Sequence, residues 1–422
     1  MSWTTIRLKH LFSSVQNGIW GDEPAYDGTD VFCARGTDFD RTTNRVCVSK
    51  MPRRSIEPRA LSRHQLRPGD LVLEKSGGSA DQPVGSVAIF DQPVRAVCSN
   101  FNARLQVVDS VEPRFACYLM NGLYWSGFTR QFIKQTTGIQ NLDADAFLAQ
   151  RCEVPSIEEQ RRVARFLDVE TARIDDLRSH RTAQRSVLAE KERFVLDQIF
   201  VGDFSVRLRM KYLLAAKPRY GVLVPEFVDD GGVPFVRIND LVDLESKISQ
   251  LRQIPRSLSR QYRTTVVRPG DVLVSVVGTL GRSTVASPLL AGANVNRAIA
   301  ILRTQPGVSP ELLSAWTSTS AFETQAMIAT GNDSAQRTLG MEDLANFDVM
   351  WPADIHEQER VLRDLTSIQT AFGRMRRAID RQLETLAERR QALIMAAVTG
   401  QIDVTTAGRF AAAATATTGG AA

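Results

Sequence analysis

Histidine and cysteine are both scarce here, and their arrangement excludes several kinds of chemistry. Four histidines, His10, His64, His180 and His356, are scattered through 422 residues, so no imidazole cluster points to a metal centre or a nucleophile–base pair. Five cysteines, Cys33, Cys47, Cys98, Cys117 and Cys152, are odd in number, confined to the first half and never spaced C-x-x-C. Neither a disulfide framework nor a zinc site is indicated. Equally absent are the G-x-x-x-x-G-K-[ST] phosphate loop, the G-x-G-x-x-G fingerprint and H-E-x-x-H. There is no Asn-Pro-Pro-Tyr or Asp-Pro-Pro-Tyr stretch of the kind amino-methyltransferases use on an extruded base. No apolar run approaches the ~18 residues of a bilayer span, which argues against membrane insertion. The opening residues, Met1 to Arg7, lack the basic and apolar segments of a secretory signal, and the expected location is the cytoplasm.

What the chain has instead is repetition. Its length suits two or three domains, and landmarks recur in order at a period of about 200 residues, far longer than a solenoid repeat. Ile6-Arg7-Leu8-Lys9 returns as Val206-Arg207-Leu208-Arg209, and Ala34-Arg35-Gly36-Thr37-Asp38 as Val236-Arg237-Ile238-Asn239-Asp240. Arg67-Pro68-Gly69-Asp70 returns as Arg268-Pro269-Gly270-Asp271, and Asn100-Phe101-Asn102 as Asn294-Val295-Asn296. In each copy Pro-Gly followed by a β-branched run reads as a turn feeding a buried strand. Further strands are expected at 86–90, 103–108 and 298–302, and helices at 113–135 and 310–329. Each copy is therefore a mixed α/β domain.

A long charged helix follows each domain, near 157–200 and 355–398. Ser156 with Glu159, and Asp354 with Glu357, have the spacing of a reciprocal N-terminal capping box, and Gly202 and Gly400 suit left-handed C-terminal caps. Val361, Leu365, Ile368, Phe372, Met375, Ile379, Leu386, Leu393 and Ala397 form a heptad seam interrupted at Gln382 and around Arg389; Val163, Leu167, Ile174, Leu177, Leu188, Val195 and Ile199 keep the same frame, interrupted by Glu170, Arg181, Gln184 and Lys191. The expected architecture is two similar α/β (α+β) domains separated by two long antiparallel coiled-coil helices, with pseudo-two-fold symmetry. The domains span 1–155 and 202–353, the helices 156–201 and 354–404. Residues 405–422, rich in Ala, Thr and Gly, form a tail expected to be disordered.

This alternation, with the helix entries Pro155-Ser156-Ile157-Glu158-Glu159-Gln160 and Pro352-Ala353-Asp354-Ile355-His356-Glu357-Gln358 and the ending Ala397-Val398-Thr399-Gly400-Gln401-Ile402, resembles the specificity subunit of type I restriction-modification enzymes. The resemblance implies two target recognition domains, each reading one half of a bipartite, asymmetric double-stranded DNA sequence. It implies as partners two methyltransferase subunits and the restriction, or translocase, subunits. The complex methylates adenine in DNA and uses S-adenosylmethionine, ATP and Mg²⁺, bound by those partners, so this chain itself is expected to be non-catalytic and without a cofactor. Two alternatives stand beside it: a coiled-coil scaffold that does not touch DNA, and a nuclease with an unfamiliar site.

The residues supply candidate DNA contacts. Arg53, Arg54, Arg59, Arg63 and Arg67 precede the first Pro-Gly turn, and Arg252, Arg256, Arg260, Arg263 and Arg268 the second. Guanidinium groups hold phosphates bidentately and read guanine edges. The expected DNA-binding set takes Arg53, Arg54, Arg256 and Arg260 from these clusters. It adds Lys75 and Arg282 from the loops after the Pro-Gly strands. From the polar loops 137–141 and 330–337 it takes Gln140, Asn141, Asn332, Gln336 and Arg337, since Asn and Gln pair with adenine. Arg35 and Arg237 suit either a backbone contact or salt bridges to Asp38 and Asp240. Asp70, Glu74 and Lys75 resemble a Mg²⁺-nuclease trio, but Glu74 and Lys75 face opposite sides of a strand and the second copy has Ser275 and Val276 there. The purified chain is thus expected neither to transfer methyl groups from S-adenosylmethionine nor to cut DNA with Mg²⁺. Radiolabel-transfer and nicking assays check this, and methyl transfer by the pure chain would contradict it.

Overall fold

A computed structural model describes residues 3–79, 81–136, 138–201, 205–331 and 337–404. The chain divides into two compact units, one gathering the residues up to Arg181 with those from Arg381 onward, the other Thr182–Asp380. Each unit holds one α/β domain with part of both long helices, Ile157–Ile199 and Ile355–Val398. The tail 405–422 and Gly202 lie outside the described residues.

The two domains repeat one topology. In the first, Phe12–Asn17, Asn102–Val107, Leu71–Glu74 and Val87–Ile89 lie side by side in that order; in the second, Arg219–Tyr220, Ile299–Leu302, Val272–Ser275 and Ser283–Val285 do the same. A smaller sheet pairs Val31–Ala34 in parallel with Ala96–Cys98, and its copy pairs Val233–Val236 in parallel with Asn294–Val295. Thr4–Arg7 joins Arg151–Val154 antiparallel, and Ser205–Arg209 joins Asp348–Pro352 likewise. Glycine permits one crossing in both: any side chain on Gly18 would collide with the carbonyls of Cys98 and Ser99, and on Gly221 with those of Val295 and Asn296. The amides that follow, Ile19 and Val222, donate to the carbonyls of Cys98 and Val295 (2.8 and 2.7 Å).

Each Pro-Gly-Asp segment is a closed turn. Asp70 accepts from the Arg67 amide (2.7 Å), as Asp271 does from Arg268 (2.7 Å). Both carboxylates are buried and each is paired with an arginine from a neighbouring strand or its end: Arg104 Nε lies 2.6 Å from Asp70, and Arg303 Nη2 lies 2.7 Å from Asp271.

Two expected helices are shorter than their apolar spacing suggested. The first ends at Trp125, where Ser126 and left-handed Gly127 (φ 78°) turn the chain into the hairpin Ile133–Thr136 and Ile139–Leu142. The second splits into Pro310–Trp316 and Ser320–Thr330. Hydroxyls cause the break: Thr317 Oγ1 donates to Ser314 and Gly281 carbonyls (2.8 and 3.0 Å), and Thr319 caps the second piece by accepting from the Phe322 amide.

The long helices start as their entry segments require, with one correction. Ser156 and Asp354 do accept from the amides of Glu159 and Glu357 (3.4 and 2.9 Å), but those carboxylates pair forward with Arg162 and Arg360 instead of closing reciprocal boxes. The adjacent glutamines make the repeated tie. Buried Gln160 accepts from the Glu112 amide (2.9 Å), and buried Gln358 from the Ser309 amide (3.1 Å), each locking a long helix onto the N-cap of a domain helix. At the other end Gly400 adopts φ 72°, with Gln401 N donating to Ala396 O (2.9 Å).

Both helices contribute to both cores. Val163, Ala164 and Leu167 meet Ile394, Ala397 and Val398 in the first; Leu196 and Phe200 join Val361 and Leu365 in the second. Within each unit the helices run antiparallel, through Asp175–Arg390 (3.2 Å) in one and Arg185–Asp380 (3.1 Å) and Glu192–Arg376 (3.2 Å) in the other. Two of the seam's apolar positions are not buried, Leu177 and Met375 being 49% and 53% exposed, and the charged pairs join residues outside the seam positions.

The buried pair at the first turn yields a test. Arg104→Ala strands the Asp70 carboxylate in the core and should cost about 3–5 kcal/mol, read as a lower urea midpoint of the first domain with an unchanged slope.

Candidate nucleic-acid interface

The candidate cations separate into anchored and free groups. Arg35 grips Asp38 through Nε and Nη2 (3.0 and 2.9 Å) and donates to Lys50 O (2.9 Å); Arg237 grips Asp240 in the same way (3.0 and 3.1 Å). The salt-bridge arrangement is thus present in both copies, and the bond to the aspartate raises each guanidinium's pKa. Arg54 is largely buried, stacked 4.1 Å over the Trp20 ring and paired with Glu23. Its neighbour Arg53 faces solvent, lying 4.5 Å over Phe32. Arg256 donates to Gly231 O (3.0 Å), whereas Arg260 is exposed and makes no hydrogen bond or ion pair with the described residues.

The polar loop of the first domain is a strand. Gln140, read as lying in a connector, is 9% exposed, accepts from the Val84 amide (3.3 Å) and donates to Ser79 O (3.1 Å). Asn141 accepts from Ser76 Oγ (2.7 Å), across the pairing of this strand with Ser76–Gly77. The strand buries Gln140 and Leu142 on one face while Ile139 is exposed, so its polar and apolar letters do not alternate and carry no strand signal, and Gly138 (φ 85°) makes the hairpin turn. Lys75 donates to Asn17 Oδ1 (2.6 Å), and burial lowers its pKa.

In the second domain the described residues around the matching region form a cleft. This cleft, of about 320 Å³, lies between the Gly278–Arg282 loop and the helix Ser320–Thr330, with Arg193, Arg282 and Arg337 on its wall. Arg193 is held by Glu323 (2.5 Å). Asn332 and Gln336 lie outside the described residues.

The nuclease trio does not converge. Asp70 belongs to Arg104, Glu74 to Arg41 (2.7 Å) and Lys75 to Asn17, and burial raises the Glu74 pKa. Among the described residues no group of three His, Cys, Asp or Glu side chains is placed to hold a metal ion, and no helix is long and apolar enough to cross a membrane.

No family model matches the chain. It is 24% identical over 278 residues to the type I restriction enzyme EcoBI specificity subunit of Escherichia coli, an alignment covering 59% of this chain and 58% of that subunit's length. Among solved structures, a chain from work on complex assembly and conformational transition of the type I R-M system matches with a TM-score of 0.64 at 19% identity, over 95% of this chain and 98% of that one. The fold is that of a type I specificity subunit. A second solved chain, the HsdS subunit from Thermoanaerobacter tengcongensis, aligns over 95% of this chain and 97% of its own at 18% identity, with a TM-score of 0.44.

Within this specificity-subunit fold, the residues that sequence reasoning missed are mostly supports. Arg41, Arg104 and Arg303 hold carboxylates, Trp20 seats Arg54, and Arg390 joins Asp175 while packing 5.4 Å from the Trp125 ring. Anchored and free arginines should part on mutation. Arg54→Ala loses a ring contact worth about 1–2 kcal/mol along with a partly buried ion pair and should lower the melting temperature. Arg260→Ala should stay within about 0.5 kcal/mol of the parent; differential scanning fluorimetry of both variants checks the contrast.

Proposed function

We propose that this chain is the DNA-reading specificity subunit of a type I restriction-modification complex, each α/β domain binding one half of a split, asymmetric duplex target. The observation that carries the reading is the duplicated domain: one topology, mounted twice on the same helix pair, with different side chains on its surface loops. A repeated scaffold with divergent loops suits a protein that must address two different half-sites in the same manner. The specificity-subunit fold and the similarity to the EcoBI subunit support it.

Under this proposal the chain supplies recognition and no bond-making step. Its partners are duplex DNA, two methyltransferase subunits and the restriction or translocase subunits, which together bring S-adenosylmethionine, ATP and Mg²⁺. The complex acts in the cytoplasm. Exposed cations, Arg53 in the first domain and Arg260, Arg282 and Arg337 in the second, are the side chains best free to reach a duplex. Arg35, Arg54, Arg237 and Gln140 serve the site by fixing the loops beside it, while Lys75, Asn141 and Arg256 can reach DNA after exchanging one hydrogen bond. Asn332 and Gln336, outside the described residues, remain proposed readers for the second domain.

Binding of duplex DNA by the chain assembled with its modification subunits should weaken steeply with salt, because each neutralised phosphate releases counterions, and log K should fall nearly linearly with log salt. Mapping of methylated adenines should return two short half-sites separated by unspecified bases. A salt-independent or absent interaction would favour the coiled-coil scaffold, and DNA cutting by the chain alone would favour the nuclease.

A further inference from the structure

We propose that a duplicated arginine ridge grips the DNA phosphates in both domains and carries no sequence information, leaving base reading to residues the two domains do not share. The inference rests on the DNA-binding reading above. If the domains address different half-sites, surface features common to both should serve what every duplex has in common, and the phosphate backbone is that feature.

A short arginine-bearing helix is exposed in both domains. Pro58-Arg59-Ala60-Leu61-Ser62-Arg63 returns as Pro255-Arg256-Ser257-Leu258-Ser259-Arg260, within the short helices Pro58–His64 and Arg256–Gln261. Packing explains the leucines, since Leu61 is buried and Leu258 sits against Val222, Phe235 and Ile254. It does not explain the arginines, which are exposed in both copies. Among the described residues, Arg256 alone of the four has a hydrogen bond from its side chain, to Gly231 O (3.0 Å). Arg59 and Arg63, like Arg256 and Arg260, are about one helical turn apart and so share a face.

The ridge is rigidly mounted. In the first domain Arg104 donates from Nε to Asp70 (2.6 Å) and from Nη1 to the carbonyl of Arg63 (3.4 Å), clamping the end of the helix to the Pro-Gly-Asp turn. In the second, Arg303 reaches Asp271 (2.7 Å) and the carbonyl of Val266 (3.4 Å), which lies past the helix Arg256–Gln261, so it holds the approach to the turn and not the helix itself. The two clamps come from different places: Arg104 lies opposite Val72 in its ladder, while Arg303 follows Leu302, the partner of Val272. What recurs is a buried turn aspartate held by an arginine that also ties down the chain ahead of the turn, reached by different routes. The exposed Arg67 and Arg268 stand at the same turns and add a third cation to each ridge.

By contrast, Arg53 faces solvent where the second domain has Gln253, and Lys75 corresponds to Val276. Such unshared positions fall to base reading.

The test uses the full chain assembled with its modification subunits. R59A/R63A and, separately, R256A/R260A should weaken binding to cognate and unrelated duplexes by the same factor. Each double variant should also reduce the slope of log K against log salt by about two, at ~0.9 per phosphate contact. The methylated sequence should be unchanged, and R59K/R63K should restore the slope. Melting temperatures near the parent's establish that the variants are folded. Unchanged affinity and slope would overturn the ridge, and so would an altered methylated sequence, which would make these arginines base readers. If the unmutated assembly binds no duplex, the DNA reading falls first and takes the ridge with it.

Discussion

Neither domain can close its core from its own stretch of chain. The first is completed by Ile394, Ala397 and Val398 from the far end of the second long helix, packed on Val163 and Leu167; the second needs Leu196 and Phe200 beside Val361 and Leu365. Each of these larger side chains withdraws apolar surface worth about 1.5–3 kcal/mol, so the helices are structural parts of the domains and not simple connectors. The requirement fixes their direction, because one must supply its start and the other its end to the same core. The charged pairs along their sides, Asp175–Arg390 and Glu192–Arg376 among them, then select the register that greasy contacts alone leave loose.

A second constraint acts at the domain turns. A buried carboxylate is costly unless paired and hydrogen-bonded, and Asp70 and Asp271 each have a backbone amide and an arginine. The same arginines reach the carbonyls ahead of the turn, so satisfying a buried charge also fixes the exposed surface next to it. Side chains that would meet a polyanion are thereby held by groups that never leave the protein.

The duplicated landmarks, the Pro-Gly turns and the long helices were legible in the sequence because each has a local cause: a rigid φ, a glycine, a repeating apolar stripe. The hairpin around Gly138 was not, since the helical spacing of 113–125 runs on smoothly past Ser126 and only the cap at Gly127 stops it. The break at Thr317 was hidden for a different reason. Its hydroxyl is drawn off by Gly281, a residue distant in sequence, and no local pattern reports that contact. Among the candidate site residues, sequence could pick out arginines but not their partners. Arg35 and Arg260 look alike as letters, yet one is bound to Asp38 and the other has no partner among the described residues.

The cysteines acquire a use from where the fold puts them. Cys33, Cys98 and Cys117 are buried in the first domain, with burial pushing their thiols up to about 12, while the second domain has no cysteine. A thiol so protonated and enclosed reacts only when its surroundings open. Alkylation of these three therefore clocks the opening of one of two similarly folded domains, and the chain already carries the asymmetry needed to time the two apart.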